Sequence, residues 1–202
     1  MTIQAGWAWA TFWVRALDDT ISDGTQVVIL TATSGQVSRS TTVSVTDNEP
    51  RVFTSNKFDF GTANSPVATG FTRVTSTTQF SQSQGFGWSA GTIGETDRGG
   101  SASDVNRDFN STADGTFSVN VQNGTYQVTL TIGDAAATRD KMQVYLEGDR
   151  VENNLTTQAG TFLRRTYSVR VTDGQLTLRL KDLGGQSPTA VINALEFNRA
   201  GN

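Results

Sequence analysis

Along much of the chain, apolar and polar residues alternate with a period of two. Tyr126-Gln-Val-Thr-Leu-Thr-Ile132 and Leu176-Thr-Leu-Arg-Leu180 place an apolar side chain at every second position, the pattern of a strand with one face on a core and the other in water. The same pattern predicts strands over 7–16, 25–33, 37–46, 51–60, 116–121, 125–132, 141–147, 161–171, 175–181 and 190–197. Asn123-Gly124 and Asp173-Gly174 are favoured in two-residue hairpin turns, whose central positions need positive φ. Nowhere does a 3.6-residue period run far enough to predict a helix, and Val, Thr and Gly are abundant, so an all-β fold is expected. The stretch 89–106 is polar, Gly-rich and aperiodic, and is expected to be a loop.

The first run departs from simple alternation. Trp7, Trp9 and Trp13 would share one strand face, and Ala8, Ala10, Phe12 and Val14 the other, so both faces are apolar. Such a strand is either central to a larger sheet or carries a tryptophan stripe that waits for a partner. Trp7, Trp9 and Trp13 are therefore candidates for self-association, against packing within the chain. Three strands in residues 1–50 cannot close a sandwich core. Pro50 cannot donate to a ladder, so Asn48-Glu49-Pro50 marks a boundary between a unit 1–50 and a unit 51–202. A β-rich chain that opens in mid-pattern is expected to be part of a longer polypeptide.

Composition works mainly by exclusion. The chain has no His, so a histidine-based triad and a histidine zinc site are both impossible, and no Cys, which leaves the compartment open. Net charge is −3, and all of it falls in the first 50 residues, where Arg15 and Arg39 meet Asp18, Asp19, Asp23, Asp47 and Glu49; the remaining 14 basic and 14 acidic residues cancel. Nothing basic enough for nucleic acid is present. No segment has the form of a signal peptide, and the apolar run at Trp7 is too short to span a bilayer.

Two resemblances add to this picture. Ile3-Gln-Ala-Gly6, Ala16-Leu-Asp-Asp-Thr-Ile-Ser-Asp-Gly-Thr25 and Val43-Ser-Val-Thr-Asp-Asn-Glu49 resemble the second half of a Calx-β domain, a sandwich that often binds calcium at one end. The first half of that domain has no counterpart here, and tryptophan stands at positions 7, 9 and 13, where the family pattern is small or polar. The resemblance implies a partial Calx-β-like sheet. In residues 51–199, the carriers are Phe58-Asp-Phe-Gly61, Gly85-Phe-Gly-Trp88, Asp97-Arg-Gly-Gly100, Arg107-Asp-Phe109, Gly124-Thr-Tyr126, Ile132-Gly-Asp134, Arg179-Leu-Lys-Asp182 and Ala194-Leu-Glu-Phe197. They resemble the galactose-binding-like β-jelly roll at the N-terminus of rhamnogalacturonan acetylesterases, close to malectin-like and family 35 carbohydrate-binding modules. The resemblance implies a jelly-roll sandwich that binds carbohydrate.

Three groups of residues are candidates for chemistry. Asp18, Asp19, Asp23, Asp47 and Glu49 offer hard oxygen ligands for Ca²⁺, against the plainer reading of a solvated acidic turn. Phe86 and Trp88 offer flat faces for the C–H side of a sugar ring, against the plainer reading of core filling. Arg98, Asp104, Asn106, Arg107 and Asp108 offer fixed polar groups for hydroxyls, with Asp134 and Arg139 in a neighbouring loop as secondary candidates. The planar arginine fork suits an acidic sugar, so a pectic ligand is among the expected partners. Asp59 and Glu196 are candidates for a structural calcium, or simply exposed strand carboxylates. Ile132-Gly-Asp-Ala-Ala lacks the serine of an esterase nucleophile motif, and no pair of carboxylates stands out for glycoside hydrolysis. The expectation is therefore a non-enzymatic polysaccharide-binding module of a secreted multidomain protein. The alternative is an extracellular structural protein that self-assembles through its Trp-bearing strands.

Overall fold

The computed structural model describes residues 3, 5–17, 25–46, 55–100 and 103–200. The chain divides into two compact units, Met1–Glu49 and Pro50–Asn202.

In the first unit, β1 (Gln26–Ser34) and β2 (Val37–Val45) form a two-stranded antiparallel ribbon with Ser34 opposite Val37. One of its faces carries a hydroxyl ladder, Thr31 to Ser40 and Thr33 to Ser38, both at 2.8 Å. Residues 7–17 form no strand, which corrects the expectation for 7–16. Alternating apolar side chains do not make a strand unless a neighbour takes up the backbone N–H and C=O groups. Trp7, Trp9 and Trp13 are exposed, Trp13 almost completely at 94%, and the rings of Trp7 and Trp9 meet edge to face at 5.6 Å.

The second unit is a sandwich of two sheets. Its strands are β3 (Lys57–Phe60), β4 (Thr72–Val74), β5 (Phe86–Asp97), β6 (Asp108–Asn120), β7 (Gly124–Gly133), β8 (Arg139–Leu146), β9 (Asp149–Thr157), β10 (Phe162–Val171), β11 (Gln175–Asp182), β12 (Ala190–Ile192) and β13 (Ala194–Arg199), with one 3₁₀ turn at Asp104–Asn106. One sheet runs β10-β7-β13-β3-β4, antiparallel except for the β3–β4 pair. The other runs β12-β6-β11-β8-β9, with β5 laid along β6. Alternate residues of both sheets meet in one core: Tyr126, Val128, Leu130 and Ile132 from β7 face Leu176, Leu178 and Leu180 from β11. Phe58, Phe60, Trp88 and Phe117 form its aromatic centre, with neighbouring ring centroids 4.9–5.8 Å apart in edge-to-face pairs. The all-β jelly-roll expectation holds.

The stretch 89–106, expected to be a loop, is half strand. β5 extends to Asp97 and pairs with β6 through two register shifts, Trp88/Ala90 and Gly91/Ile93. Gly91 sits at the second shift with φ +100°, and a Cβ there would overlap the backbone of Asp114 and Gly115. At the far end of the unit the first and last strands come together. Phe197 N–H donates to Asn56 C=O at 2.9 Å, and Asn56 Nδ2 donates to Asn198 Oδ1 at 2.7 Å.

Candidate functional site

At one end of the sandwich, loops from four places in the sequence surround an open groove of about 530 Å³. Arg98, Gly99 and Gly100 follow β5, and Asn106 closes the 3₁₀ turn. Ala135 and Ala136 follow β7, while Gly160 and Phe162 lead into β10. Gly99, Gly100, Ala135, Ala136 and Gly160 bring backbone close to the groove surface, while Phe162 supplies one half-buried aromatic ring. That ring is placed by Gly133: a Cβ there would come within 2.7 Å of Phe162 Cδ1 and 2.5 Å of Thr161 O.

Beneath the groove lies an ionic cluster. The Asp134 side chain is fully buried and takes Arg98 side-on, Nε to Oδ1 at 2.9 Å and Nη2 to Oδ2 at 2.8 Å. Arg139 approaches the same carboxylate with Nε at 3.0 Å and Nη2 at 2.7 Å, and its Nη1 reaches Ser187 Oγ at 3.0 Å and Thr189 Oγ1 at 3.2 Å. The Ala136 N–H adds a fifth bond to Asp134, to Oδ1 at 2.9 Å. Both guanidiniums lie over the buried Phe109 ring, 5.5 Å and 4.9 Å from its centroid. Burial pushes the Asp134 carboxyl up, but the Arg98 bond, the Ala136 N–H and Arg139 outweigh it and hold the group down at about 2. Asp140 extends the support by accepting the Gln186 and Ser187 N–H groups at 3.1 and 2.9 Å, which fixes the loop that holds Arg139.

The structure thus brings Arg98, Asn106, Asp134 and Arg139 to one site. Arg107 is held side-on by Asp97, with bonds of 2.9 and 2.7 Å, and that pair braces the base of the 98–106 loop. Asp104 is exposed on the 3₁₀ turn. Phe86 and Trp88, expected as sugar platforms, are core residues instead: Trp88 is 1% exposed and its Nε1 donates to Asn110 Oδ1 at 3.1 Å. A buried ring has no face to offer a ligand. The aromatic ring that lines the groove instead is Phe162, which the sequence reading did not single out and whose local signal is its place two residues after the Gly160 turn.

Of the metal candidates, Asp18, Asp19, Asp23, Asp47 and Glu49 lie outside the described residues. Glu196 is taken by Lys57 at 3.1 Å and Arg164 at 3.0 Å. Among the described residues no group of three or more carboxylates converges on one point. Asp59 and Asp108 are both buried, and Asp59 Oδ1 and both carboxylate oxygens of Asp108 have no hydrogen-bond partner. Ser65, beside Asp108, gives its hydroxyl hydrogen to Thr62 O. Burial raises both carboxyls to about 6; Asp59 adds to the effect at Asp108, and the Ala68 N–H and Arg73 partly oppose it at Asp59.

These shifts have a definite sign. A carboxyl raised in the folded state favours folding when protonated, so the stability from Asp59 and Asp108 is present at low pH and lost as pH rises through about 6. Asp134 acts oppositely, and its contribution is lost as pH falls toward about 2. Melting temperature is therefore expected to rise between pH 8 and pH 5, and Asp108→Asn to flatten that rise. A melting temperature independent of pH across this range contradicts the assignment.

Comparison with known proteins gives a consistent picture. Residues 56–198 match the family described as beta-agarase/YXIM esterase-like, galactose-binding domain-like. Beta-agarase A of Zobellia galactanivorans is 41% identical over 127 residues, 61% of this chain and 23% of that protein. The uncharacterized esterase YxiM of Bacillus subtilis is 28% identical over 158 residues, 75% of this chain and 37% of that protein. The chain thus spans well under half the length of these relatives. The crystal structure of the B. subtilis protein covers 71% of this chain and 39% of its own, with a TM-score of 0.57 and 25% identity. A Bacteroides uniformis beta-glucuronidase shares the fold over 90% of this chain and 23% of its own, with a TM-score of 0.56 and 12% identity.

Proposed function

The chain belongs to the beta-agarase/YXIM esterase-like, galactose-binding domain-like family, and from that premise we propose that its second unit is a non-catalytic polysaccharide-binding module of an exported multidomain protein. The observation that carries this reading is the groove itself. Phe162 presents a ring to the apolar face of a sugar, beside backbone groups and polar side chains held rigid by Asp134. Such a site binds and orients. Asp134, the buried carboxylate beneath it, is committed to two arginines and is held in place to position them.

The test is affinity electrophoresis and calorimetry with agar oligosaccharides, as the name of the 41% identical relative suggests. Phe162→Ala is expected to weaken binding about fivefold, in line with about 1 kcal/mol for an aromatic contact. Its circular dichroism should stay unchanged. Equal binding by the variant, or glycan turnover by the purified chain, overturns the proposal.

A second reading concerns the first unit. Trp7, Trp9 and Trp13 are exposed together with Val27, Ile29 and Val37 of the ribbon, more apolar surface than a monomer usually leaves in water. On this reading the unit joins copies of the chain, with Asp18, Asp19, Asp23, Asp47 and Glu49 as its calcium ligands, as a Calx-β-like sheet would use them. A solution mass above 21.7 kDa, reduced to that value when the three tryptophans become serine, is its signature.

A further inference from the structure

We infer that the groove selects a neutral hexose chain over a uronic-acid chain, an inference that rests on the carbohydrate-binding reading above and sets its ligand class. Arginine recognises a carboxylate best through a free fork and an uncompensated charge. Here the charge is compensated, and the side-on fork of each arginine is already taken. Arg98, the arginine that lines the groove, has its Nε/Nη2 fork closed by Asp134. The same fork of Arg107 is closed by Asp97, and that of Arg139 by Asp134. Arg139 also spends Nη1 on Ser187 and Thr189.

The charges around the groove balance as well. Asp134 pairs with Arg98 and Arg139, Asp97 pairs with Arg107, and Asp104 and Asp108 also lie within electrostatic reach of Arg107. A carboxylated sugar entering here would give up hydration without meeting a net positive field, and opening the Arg98 fork would cost the buried Asp134 two of its five hydrogen bonds. What remains for a ligand is suited to hydroxyls: the Asn106 side chain, nearby backbone groups, the far-edge N–H groups of Arg98, and the Phe162 ring for a C–H face. This reverses the pectic expectation, which counted the arginines but had no means of seeing what already held them.

The experiment uses the full chain and two probes of equal length, agarose hexasaccharide and oligogalacturonate hexasaccharide, in calorimetric titrations at low and high salt. The expected result is at least tenfold tighter binding of the neutral probe, an affinity that does not change with salt, and about fivefold weaker binding in Phe162→Ala. Oligogalacturonate binding as tight as or tighter than the neutral probe, and weakening with salt, overturns the neutral assignment while the carbohydrate-binding reading stands. No binding of either probe removes both.

Discussion

Replacing Asp134 by alanine is expected to destabilise the second unit by about 3–5 kcal/mol, the range for breaking a buried ion pair by deleting one partner. The Asp134 side chain has no solvent exposure and balances two guanidiniums at once. Without it, two cations face each other over the Phe109 ring. The partners do not suffer equally. Arg98 is 31% exposed and can turn into water, while Arg139 is 13% exposed and remains tied to Ser187 and Thr189. The loss should therefore fall at the lower end of that range. Asp134→Asn, which keeps the shape and one acceptor, should fall between alanine and wild type. The double variant Asp134→Ala/Arg98→Ala should recover part of the loss, because it relieves the repulsion between the two guanidiniums over the Phe109 ring. Urea denaturation of wild type, Asp134→Ala, Arg98→Ala and the double variant closes the cycle and gives the coupling directly. A loss below about 1 kcal/mol for Asp134→Ala would mean that water already screens the cluster, as at an exposed pair.

A comparable effect is expected at Trp88, for a different reason. Truncation to alanine removes the largest fully buried side chain in the core and should destabilise by about 3–5 kcal/mol. The indole packs edge-on against Phe60 at 5.8 Å and Phe117 at 5.6 Å, so the cavity opens at the aromatic centre. It also leaves Asn110 Oδ1 without its donor, though Asn110 Nδ2 keeps its bond to Gly61 O at 2.9 Å. Trp88→Phe should cost less than half as much, since most of the volume stays. Loss of near-UV circular dichroism together with the drop in urea midpoint would locate the damage in the core. A Trp88→Ala variant that melts normally but no longer binds agar oligosaccharides would return Trp88 to the ligand site.

The contrast between Trp88 and Phe162 shows what the sequence made legible. The core was readable wherever alternation was strict, because a period of two on a half-buried strand says which side chains face inward. Tyr126, Val128, Leu130 and Ile132 are all buried, as are Leu176, Leu178 and Leu180. Asn123-Gly124 and Asp173-Gly174 do turn the chain, between β6 and β7 and between β10 and β11, but neither makes the expected hairpin: β6 and β11 belong to one sheet and β7 and β10 to the other, so both turns carry the chain across the sandwich. β5 was hidden because most of its residues beyond Trp88 are Ser, Gly and Thr on an edge with one face in water, and two bulges break the period. β9 was hidden for related reasons: it is charged, mostly exposed, and pairs with β8 through three register shifts.

The groove was half legible. Arg98, Asn106, Asp134 and Arg139 were identified by residue type, but nothing local says that Arg98 and Asp134, 36 positions apart, share two hydrogen bonds. Their juxtaposition depends on β5 running to Asp97 beside β6, the strand that was read as loop. Phe86 and Trp88 were misassigned because strand alternation names a face and cannot say which of two faces meets the opposite sheet. The Trp7 run failed in the opposite sense. Its pattern was strand-like, but the residues that would have to pair with it are not beside it in the described structure.

The meeting of Asn56 with Asn198 has a consequence of its own. The polypeptide enters and leaves the jelly roll at neighbouring points, so the module can be spliced into a loop of a larger host without prising the host's chain apart. By the same geometry, a circular permutant with a short linker joining residues 56 and 199, reopened at the exposed Asn123 in the turn between the two sheets, keeps every strand and the whole groove.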